Sequence, residues 1–242
     1  MSRIKRLIPR SLLSASRGLA RTFSQWPFTH NLRLWFTPRQ DIFARAYKDP
    51  IWGSDESVSG TGSTMEATED VRRELPKLIR SYNIKTMVDA PCGDWNWMSS
   101  TDLRLEKYTG VDIVPELIAD NTAKYGSHKT EFVAWNIVTD RLPSADLILC
   151  RDCLVHLSFQ DIASVIENFK STDSIYLLAN TYPLIEKNEN LFTGLGWRRL
   201  NLQRTPFDFP EPMLMFPDCV SVDEDNFMAM WRLSDLPLIN LD

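Results

Sequence analysis

The sequence predicts an α/β fold, in which helices pack on a doubly wound, mostly parallel sheet that ends in an antiparallel pair of strands. Short apolar runs that end at polar or acidic residues alternate along the chain with segments of helical periodicity, as in strand–helix–strand units. Near the carboxyl end, two strand-like segments follow each other without an intervening helix, which favours antiparallel pairing. The 242 residues, of which 43% are hydrophobic and 24% are charged, suffice for one such domain.

The first 40 residues form a basic extension. They contain eight arginines and lysines and no acidic residue before Asp41, so the net acidity of the chain resides in the remainder. Apolar residues lie among the basic ones, which is compatible with an amphipathic segment over residues 1–26 that contacts an anionic membrane peripherally. An Arg- and Ser-rich transit peptide and a plain basic tail are the alternatives. We therefore expect an extension over residues 1–40 and a folded domain over residues 41–242.

A linking segment that ends at Gly62 leads to the first helix of the domain. Gly60 and Gly62 stand beside hydroxyl residues in a turn that either caps the following helix or folds over a bound ligand. Ser63 is predicted to be the N-cap, with Glu66 as its capping-box partner. Apolar residues at helical spacing indicate the helix itself: Val71, Leu75, Leu78 and Ile79.

The stretch from Lys85 to Met98, KTMVDAPCGDWNWM, organises the domain. Its apolar run ends at Asp89 and is followed by a turn around Gly93, which is typical of a buried parallel strand that leads into a loop. In open α/β sheets, ligands bind outside the carboxyl ends of such strands. We therefore expect the functional site at this turn.

The residues around the turn favour a positively charged nucleoside over a dinucleotide. The dinucleotide motif G-x-G-x-x-G needs three glycines, whereas here Gly93 is alone and is followed by Asp94, whose carboxylate would repel a pyrophosphate. Nineteen residues beyond Gly93, Asp112 ends a second strand-like run, where a carboxylate binds ribose hydroxyls. A ribose without pyrophosphate, beside acids suited to a sulfonium or an ammonium group, points to S-adenosylmethionine.

At these residues the chain resembles the class I S-adenosylmethionine-dependent methyltransferases. The resemblance runs from about Ser63 to Leu233 and rests on four stretches: Asp89–Asp94, Tyr108–Asp112, Phe132–Asn136 and Asp146–Leu157. In one position the chain departs from the family, because Pro91 stands where the family's D-x-G-x-G turn has its first glycine, and proline cannot take a positive φ. The resemblance implies a Rossmann-like fold with S-adenosylmethionine as cofactor. It also implies a set of cofactor-binding residues: Asp89, Ala90, Cys92, Gly93, Asp94, Asp112, Ile113, Asn136, Ile137 and Arg151.

The remaining elements alternate as this fold requires. We predict helices over Pro115–Tyr125 and Ile162–Phe169, and strands over Thr130–Ala134, Ala145–Cys150 and Ser174–Ala179. Gly196–Leu202 and Phe227–Leu233 are predicted to form the antiparallel pair. Between them, four prolines in residues 205–217 favour an irregular loop that covers the edge of the core or binds the methyl acceptor.

The loop after the fourth strand carries the candidate catalytic residues. In the resembled family this loop lies beside the transferred methyl group, so its ionisable side chains are candidate bases. The ordinary pKa of His156 is about 6.5, which suits it to accept a hydroxyl proton. Asp152 orients that imidazole, acts as the base itself or holds a metal. The alternatives are a packed histidine and a helix-capping aspartate. Aromatic surfaces and a strand end supply the candidate substrate-binding residues: Trp52, Trp97, Asn180 and Tyr182.

Metal binding is not favoured by the sequence. Cys150, Cys153 and His156 have a spacing compatible with zinc, with Cys92 as a fourth ligand, but Cys150 lies in a buried strand and a lone C-x-x-C is weak evidence. We therefore expect structural thiols and no metal.

Four cysteines without a secretion signal, and no apolar run of transmembrane length, favour a cytoplasmic location.

Together these features predict an enzyme that transfers a methyl group from S-adenosylmethionine to a hydroxyl of a small molecule or a glycan. An N- or carboxyl-methyltransferase, which needs no strong base, and a non-catalytic methyltransferase-like partner protein are the alternatives. Nucleic acid is disfavoured as a partner because the acidic body of the chain would repel phosphates. The sequence leaves the acceptor and the oligomeric state open.

Overall fold

The computed structural model describes residues 37–49, 51, 52, 54–219 and 223–241. The basic extension before residue 37, with the predicted membrane contact of residues 1–26, lies outside the described residues. Four α-helices occur in the described part: α1 (Arg39–Lys48), α2 (Glu69–Ser81), α3 (Pro115–Tyr125) and α4 (Phe159–Lys170). None of these described helices is long and apolar enough to cross a membrane. Because α1 begins at Arg39, the predicted domain boundary at residue 40 falls inside this helix, and the start of the folded domain stays a prediction.

The described strands form one sheet with the order β3-β2-β1-β4-β5-β7-β6. The strands are β1 (Thr86–Asp89), β2 (Lys107–Asp112), β3 (Thr130–Ala134), β4 (Leu147–Cys150), β5 (Tyr176–Thr181), β6 (Leu214–Pro217) and β7 (Phe227–Arg232). The first five pair in parallel, whereas β7 pairs antiparallel with both β5 and β6. The predicted α/β fold with a mostly parallel sheet and an antiparallel end is therefore confirmed.

Alternate residues of the central strands enter two hydrophobic clusters on opposite faces of the sheet. On one face, Val88 and Ile148 pack with α4; on the other, Met87 and Leu147 pack with α2. All four residues of β4 are buried, as expected for a strand with helices on both faces. This burial fixes the register of the strands, so the residues that follow their carboxyl ends are brought to one edge of the sheet.

The partner predicted for the last strand was wrong. Residues 196–202 form no strand, because their backbone groups bond to separate segments: Arg198 N–H to Val155 O (3.2 Å), and Leu200 O to Tyr182 N–H (2.8 Å). The strand that pairs with β7 is instead β6, which lies at the end of the stretch predicted to be an irregular loop. Alternating burial along β6 matches a sheet edge with one face packed, and its single proline stands at the last position, where no further ladder bond is lost.

The predicted capping box of the first domain helix was also wrong. Ser63 lies in a short 3₁₀ turn (Thr61–Ser63), and α2 begins six residues later, at Glu69. Thr68 precedes the helix, but its hydroxyl donates to the carbonyl of Thr64 (2.7 Å) instead of capping α2. The helix then continues through Pro76 to Ser81 and buries its apolar face as predicted.

Candidate active site

The turn after β1 is held between the neighbouring strands. Ala90 N–H donates to Leu149 O and Cys92 N–H donates to Val111 O, both at 2.8 Å, so the turn is fixed to β4 and β2. Gly93 has a φ of +53°, and a Cβ built there would lie 2.3 Å from Ser59 Oγ. Only glycine satisfies both the backbone conformation and this close approach. The peptide bond between Ala90 and Pro91 is cis.

Asp112 places a buried carboxylate beside this turn. Its two oxygens accept hydrogen bonds from Val114 N–H (3.1 Å) and Gly93 N–H (3.3 Å). Burial raises the pKa of Asp112 to about 6, although the backbone N–H groups counteract part of this effect. A carboxylate has about four lone-pair sites, so each oxygen keeps an acceptor site for one hydroxyl. The position of the Asp112 carboxylate and its open acceptor sites fit the predicted hydrogen bonds to ribose hydroxyls.

The segment Ser57–Gly62 folds over the same turn. The Asp94 carboxylate accepts hydrogen bonds from the Ser57 hydroxyl (3.0 Å) and from Val58 N–H (3.0 Å), and the Ser59 hydroxyl in turn accepts one from Asp94 N–H (3.1 Å). A Cβ built on Gly62 would lie 2.9 Å from Asp152 Oδ2, so the segment also touches the loop after β4. This glycine-containing segment thus lies over the turn, and its predicted position over a bound ligand stays a prediction. Asp94 keeps the Ser57–Gly62 segment in place through these hydrogen bonds, and its predicted contact with a cofactor stays a prediction.

A cavity of about 280 Å³ lies at the ends of β2 and β3, and Ile113, the residue after Asp112, is part of its lining. Among its lining residues are Ile113, Trp135 and Asn136, together with Pro38 and Arg39 at the start of α1. The side-chain oxygen of Asn136 accepts a hydrogen bond from Val138 N–H (3.0 Å), whereas Ile137 is buried in the core. Ile113 and Asn136 therefore line the cavity and Ile137 does not, and the predicted contacts of all three with a nucleobase stay predictions. Trp135 and the start of α1 were missed by the sequence analysis, which assigned residues up to 40 to the extension.

Helix α1 forms one wall of this cavity and is attached at both ends. Near its start, the Arg39 guanidinium makes two hydrogen bonds with the carboxylate of Asp161, with Nε at 2.9 Å from Oδ2. Asp161 lies in the first turn of α4, where a carboxylate is stabilised by the helix dipole. Near the other end, the Tyr47 hydroxyl bonds to Asp120 and Lys48 pairs with Glu116 on α3. The helix is thus a strap across the cavity.

The Arg39→Ala variant is expected to weaken the binding of S-adenosylhomocysteine about 3- to 10-fold. The substitution leaves the nearly buried Asp161 carboxylate without its cation, which costs on the order of 1–3 kcal/mol and loosens the strap over the cavity. Lys48→Ala is the matched control on the same helix, because its ion pair with Glu116 is exposed to solvent and contributes little. Isothermal titration calorimetry of both variants tests this, and equal affinities would show that the attachment of α1 through Arg39 does not affect binding.

Asp89, at the end of β1, is directed into the protein interior. Its carboxylate accepts a hydrogen bond from the Tyr108 hydroxyl at 2.5 Å. Burial raises the pKa of Asp89 to about 7, against the opposing effects of the Tyr108 hydrogen bond and the Arg151 charge. In this arrangement Asp89 joins β1 to β2 beneath the turn, and its predicted cofactor contact stays a prediction.

The Asp89→Asn variant is expected to remove part of the pH dependence of stability. The unfolded carboxyl ionises near pH 3.9 and the folded one near 7, so the stabilisation is fully present below about pH 4 and is lost as the pH rises towards 7. As the pH rises through this window, the free energy of unfolding of the variant should therefore increase relative to that of the wild type, by up to about 1.4 kcal/mol per pH unit. Urea unfolding between pH 4 and 8 measures the difference. Exposed Asp102→Asn is the control, and parallel profiles for Asp89→Asn and the wild type would contradict the prediction.

The loop after β4 is held by a buried polar network. Arg151 donates two hydrogen bonds to Asp218, from Nε at 2.8 Å and from Nη2 at 3.2 Å, and its guanidinium stacks over Trp97. Asn180 accepts a hydrogen bond from Asp152 N–H (2.7 Å) and donates one to Asp218 (3.0 Å). These contacts hold Asp152 in a left-handed backbone conformation (φ +51°). Arg151, Trp97 and Asn180 thus position Asp152 from within the core, and their predicted contacts with cofactor or substrate stay predictions.

His156 ends the short 3₁₀ turn Leu154–His156 and has a defined proton arrangement. Its Nδ1 lies 2.6 Å from Gly196 O. Because a carbonyl only accepts, Nδ1 must carry the hydrogen, and Nε2 keeps a free lone pair. Burial, reinforced by the nearby Arg198 charge, lowers the pKa of His156 to about 4. The imidazole is therefore neutral at pH 7 and offers Nε2 as an acceptor, and its lowered pKa makes it a weaker base than an ordinary histidine.

Aromatic side chains surround the candidate base. The Trp52 ring lies 5.8 Å from the His156 ring, and Tyr182 packs edge-on against Trp197 at 5.9 Å. Tyr182 is buried, whereas Trp197 is 50% exposed and directly follows the glycine that holds His156. Trp197 was missed as a site residue because the sequence analysis placed it in a strand. Its exposure beside the base makes it a candidate surface for the acceptor.

The cysteines do not gather with other metal-ligating side chains. Cys92, Cys150, Cys153 and Cys219 are buried and lie in no disulfide bond. Over the part of the chain that the structure describes, no group of three or more His, Cys, Asp or Glu residues has a geometry that could hold a metal ion.

Neither a family model nor a curated protein matches the sequence. Among solved structures, the chain is similar to the N-methyltransferase NodS from Bradyrhizobium japonicum WM9, with a TM-score of 0.50 and 16% identity over 67% of this chain and 93% of that one. A complex of NodS with S-adenosyl-L-homocysteine matches with a TM-score of 0.46, at 14% identity over 57% and 73% of the two chains. Human N-acetylserotonin methyltransferase in complex with S-adenosylmethionine matches with a TM-score of 0.47, at 16% identity over 70% and 52%. The similarity to NodS establishes a shared Rossmann-like fold.

Proposed function

From this shared fold, we propose that the chain is an S-adenosylmethionine-dependent methyltransferase that methylates a hydroxyl of a small molecule or a glycan. The choice of a hydroxyl as acceptor rests on the protonation state of His156. Its Nδ1–H is bound to Gly196 O, and its Nε2 is unprotonated at neutral pH. An alcohol needs a base to take its proton as it reacts, and a neutral imidazole is suited to this.

The described residues fit the nucleoside part of the proposed cofactor. Asp112 offers carboxylate oxygens for two ribose hydroxyls, and the adjacent cavity, with Ile113 and Asn136 in its wall, receives the nucleobase. The turn at Gly93, beneath the Ser57–Gly62 segment, is left for the amino-acid end. When bound, S-adenosylmethionine supplies an activated methyl group on a sulfonium, whose thioether is a neutral leaving group.

The chain itself then has two tasks. Asp152 and the 3₁₀ turn, held by the network of Arg151 and Asn180, align the acceptor hydroxyl with the methyl group. His156 Nε2 accepts the hydroxyl proton while the oxygen forms its new bond to carbon, and Trp197 offers the acceptor an exposed ring face. The covering segment Ser57–Gly62 excludes water from the reacting groups.

N-methylation is the second candidate, because NodS, which shares the fold over 93% of its own length, is an N-methyltransferase. An amine with a free lone pair needs no base in the displacement, so the dependence on His156 separates the two candidates.

The proposal also includes a cytoplasmic location with peripheral membrane contact through residues 1–26, which the basic character of the extension supports.

Calorimetry with S-adenosylhomocysteine and, separately, with NAD tests the cofactor assignment. We expect micromolar binding of S-adenosylhomocysteine and no measurable binding of NAD. Transfer of a radiolabelled methyl group into fractionated cell extract then tests for an acceptor. Tighter binding of NAD, or no binding of S-adenosylhomocysteine, would overturn the proposal. If binding is seen but no fraction is labelled, the non-catalytic partner protein is favoured instead.

A further inference from the structure

We infer that Arg198 is a positioning residue that holds the 3₁₀ turn Leu154–His156 so that the imidazole of His156 keeps one orientation and one tautomer. The inference rests on the proposed function, in which His156 is the base. Arg198 lies 42 residues beyond that histidine in the chain and contacts neither cofactor nor acceptor in this role.

The guanidinium of Arg198 bridges the two ends of the turn. Its Nη1 donates to Leu154 O at 2.9 Å and its Nη2 donates to Leu157 O at 2.5 Å. The remaining donor, Nε, bonds to Glu189 O at 3.0 Å. A planar guanidinium can make these three bonds at once, because its N–H groups point in fixed and different directions.

The backbone of the same segment completes the attachment. Arg198 N–H donates to Val155 O (3.2 Å), and Gly194 N–H donates to His156 O (3.1 Å). With the two guanidinium bonds, every carbonyl from Leu154 to Leu157 accepts a hydrogen bond from residues 194–198. The segment therefore docks on the turn over its whole length and thereby brings Gly196 O to Nδ1 of His156.

Arg198 has no carboxylate partner among the ion pairs of the described residues. Its guanidinium is partly buried and lies 5.7 Å from the centre of the Phe159 ring. Burial lowers the pKa of Arg198 to about 10, which still leaves it charged at neutral pH. Burying a cation that only carbonyl groups balance costs desolvation free energy. We therefore attribute to Arg198 the positioning of these carbonyl groups, not a net gain in stability.

The same cation affects the protonation of His156. The groups that face the imidazole are Gly196 O, which favours the protonated form, the Arg198 charge, which disfavours it, and the uncharged Trp52 ring. Arg198 thus supports the neutral Nδ1–H tautomer in two ways, through the position of Gly196 O and through its charge. A longer distance between Gly196 O and Nδ1 would release Nδ1 from its hydrogen bond and allow the other tautomer.

Nitrogen-15 NMR of the imidazoles tests this inference without any knowledge of the acceptor. The chain has three histidines, and His156→Gln assigns the signal of interest. In the wild type we expect one neutral tautomer with hydrogen on Nδ1 and a titration midpoint well below the ordinary 6.5. Arg198→Met should mix the tautomers and raise the midpoint, because the imidazole loses the nearby guanidinium charge and is less shielded from water. Arg198→Lys, which keeps the charge but cannot bridge the carbonyls, should also mix the tautomers, with a smaller rise of the midpoint.

Arg199→Met is the matched control, because the adjacent arginine is exposed and pairs with Asp223. This control should keep the wild-type tautomer and midpoint. An Arg198→Met protein with the wild-type tautomer and midpoint would overturn the inference, and if this variant does not fold, the tautomer of Arg198→Lys decides in the same way. S-adenosylhomocysteine binding is measured in parallel, so that a failure of the proposed function is seen separately in the wild type.

Discussion

The His156→Ala variant is expected to lose methyl transfer by about 10²- to 10⁴-fold, the usual contribution of a positioned general base. Its affinity for S-adenosylhomocysteine should stay within about twofold of the wild type, since His156 lies on the turn after β4 and not at the nucleoside cavity. Labelled methyl transfer into the most active extract fraction measures the loss. His128→Ala, at an exposed position before β3, is the control.

The pH dependence of the reaction provides a second signature of the same base. Because the pKa of His156 is lowered to about 4, the imidazole stays neutral from pH 8 down to about 5, and the rate should fall only below that range. A rate that falls with a midpoint near 6.5 would show an ordinary solvated histidine. If His156→Ala keeps the wild-type rate, the base is not His156, and Asp152→Asn then tests the alternative.

The Asp112→Asn variant is expected to lower the affinity for S-adenosylhomocysteine by about 10²- to 10³-fold. Hydrogen bonds to a charged acceptor contribute about 1.5–3 kcal/mol each, and the amide replaces one of the two acceptor oxygens and removes the charge. The amide keeps the size of the side chain, so thermal unfolding should show a folded protein. Calorimetry measures the affinity, with Asp102→Asn, an exposed acid between β1 and β2, as the control.

The wild-type affinity should also depend on pH in a defined direction. Burial raises the pKa of Asp112 to about 6, and only the ionised carboxylate accepts two hydroxyls. Binding of S-adenosylhomocysteine should therefore weaken as the pH falls through about 6, and Asp112→Asn should remove this dependence. An unchanged affinity in the variant would mean that the ribose is bound elsewhere and that the cofactor assignment has lost its main support.

The sequence determined the parallel half of the sheet. The bounds of α3 (Pro115–Tyr125) and of β3 were predicted without error, because a proline at the first helical position and a short apolar run are local signals. The strand before Gly93 and the acid at the end of β2 were found for the same reason. Their neighbourhood in space followed from a general property of parallel sheets, whose strands end at one edge.

The tertiary structure alone decided the antiparallel edge and the roles of side chains in the site. Residues 196–202 have the composition of a strand, yet their backbone hydrogen bonds go to the turn of His156 and to Tyr182, while β6 forms among prolines because β7 offers it a partner. The contacts of Arg39 with Asp161 and of Arg198 with Leu154 join residues 122 and 44 positions apart. Sequence patterns record the periodicity of one element at a time, whereas such contacts depend on where packing brings distant elements together.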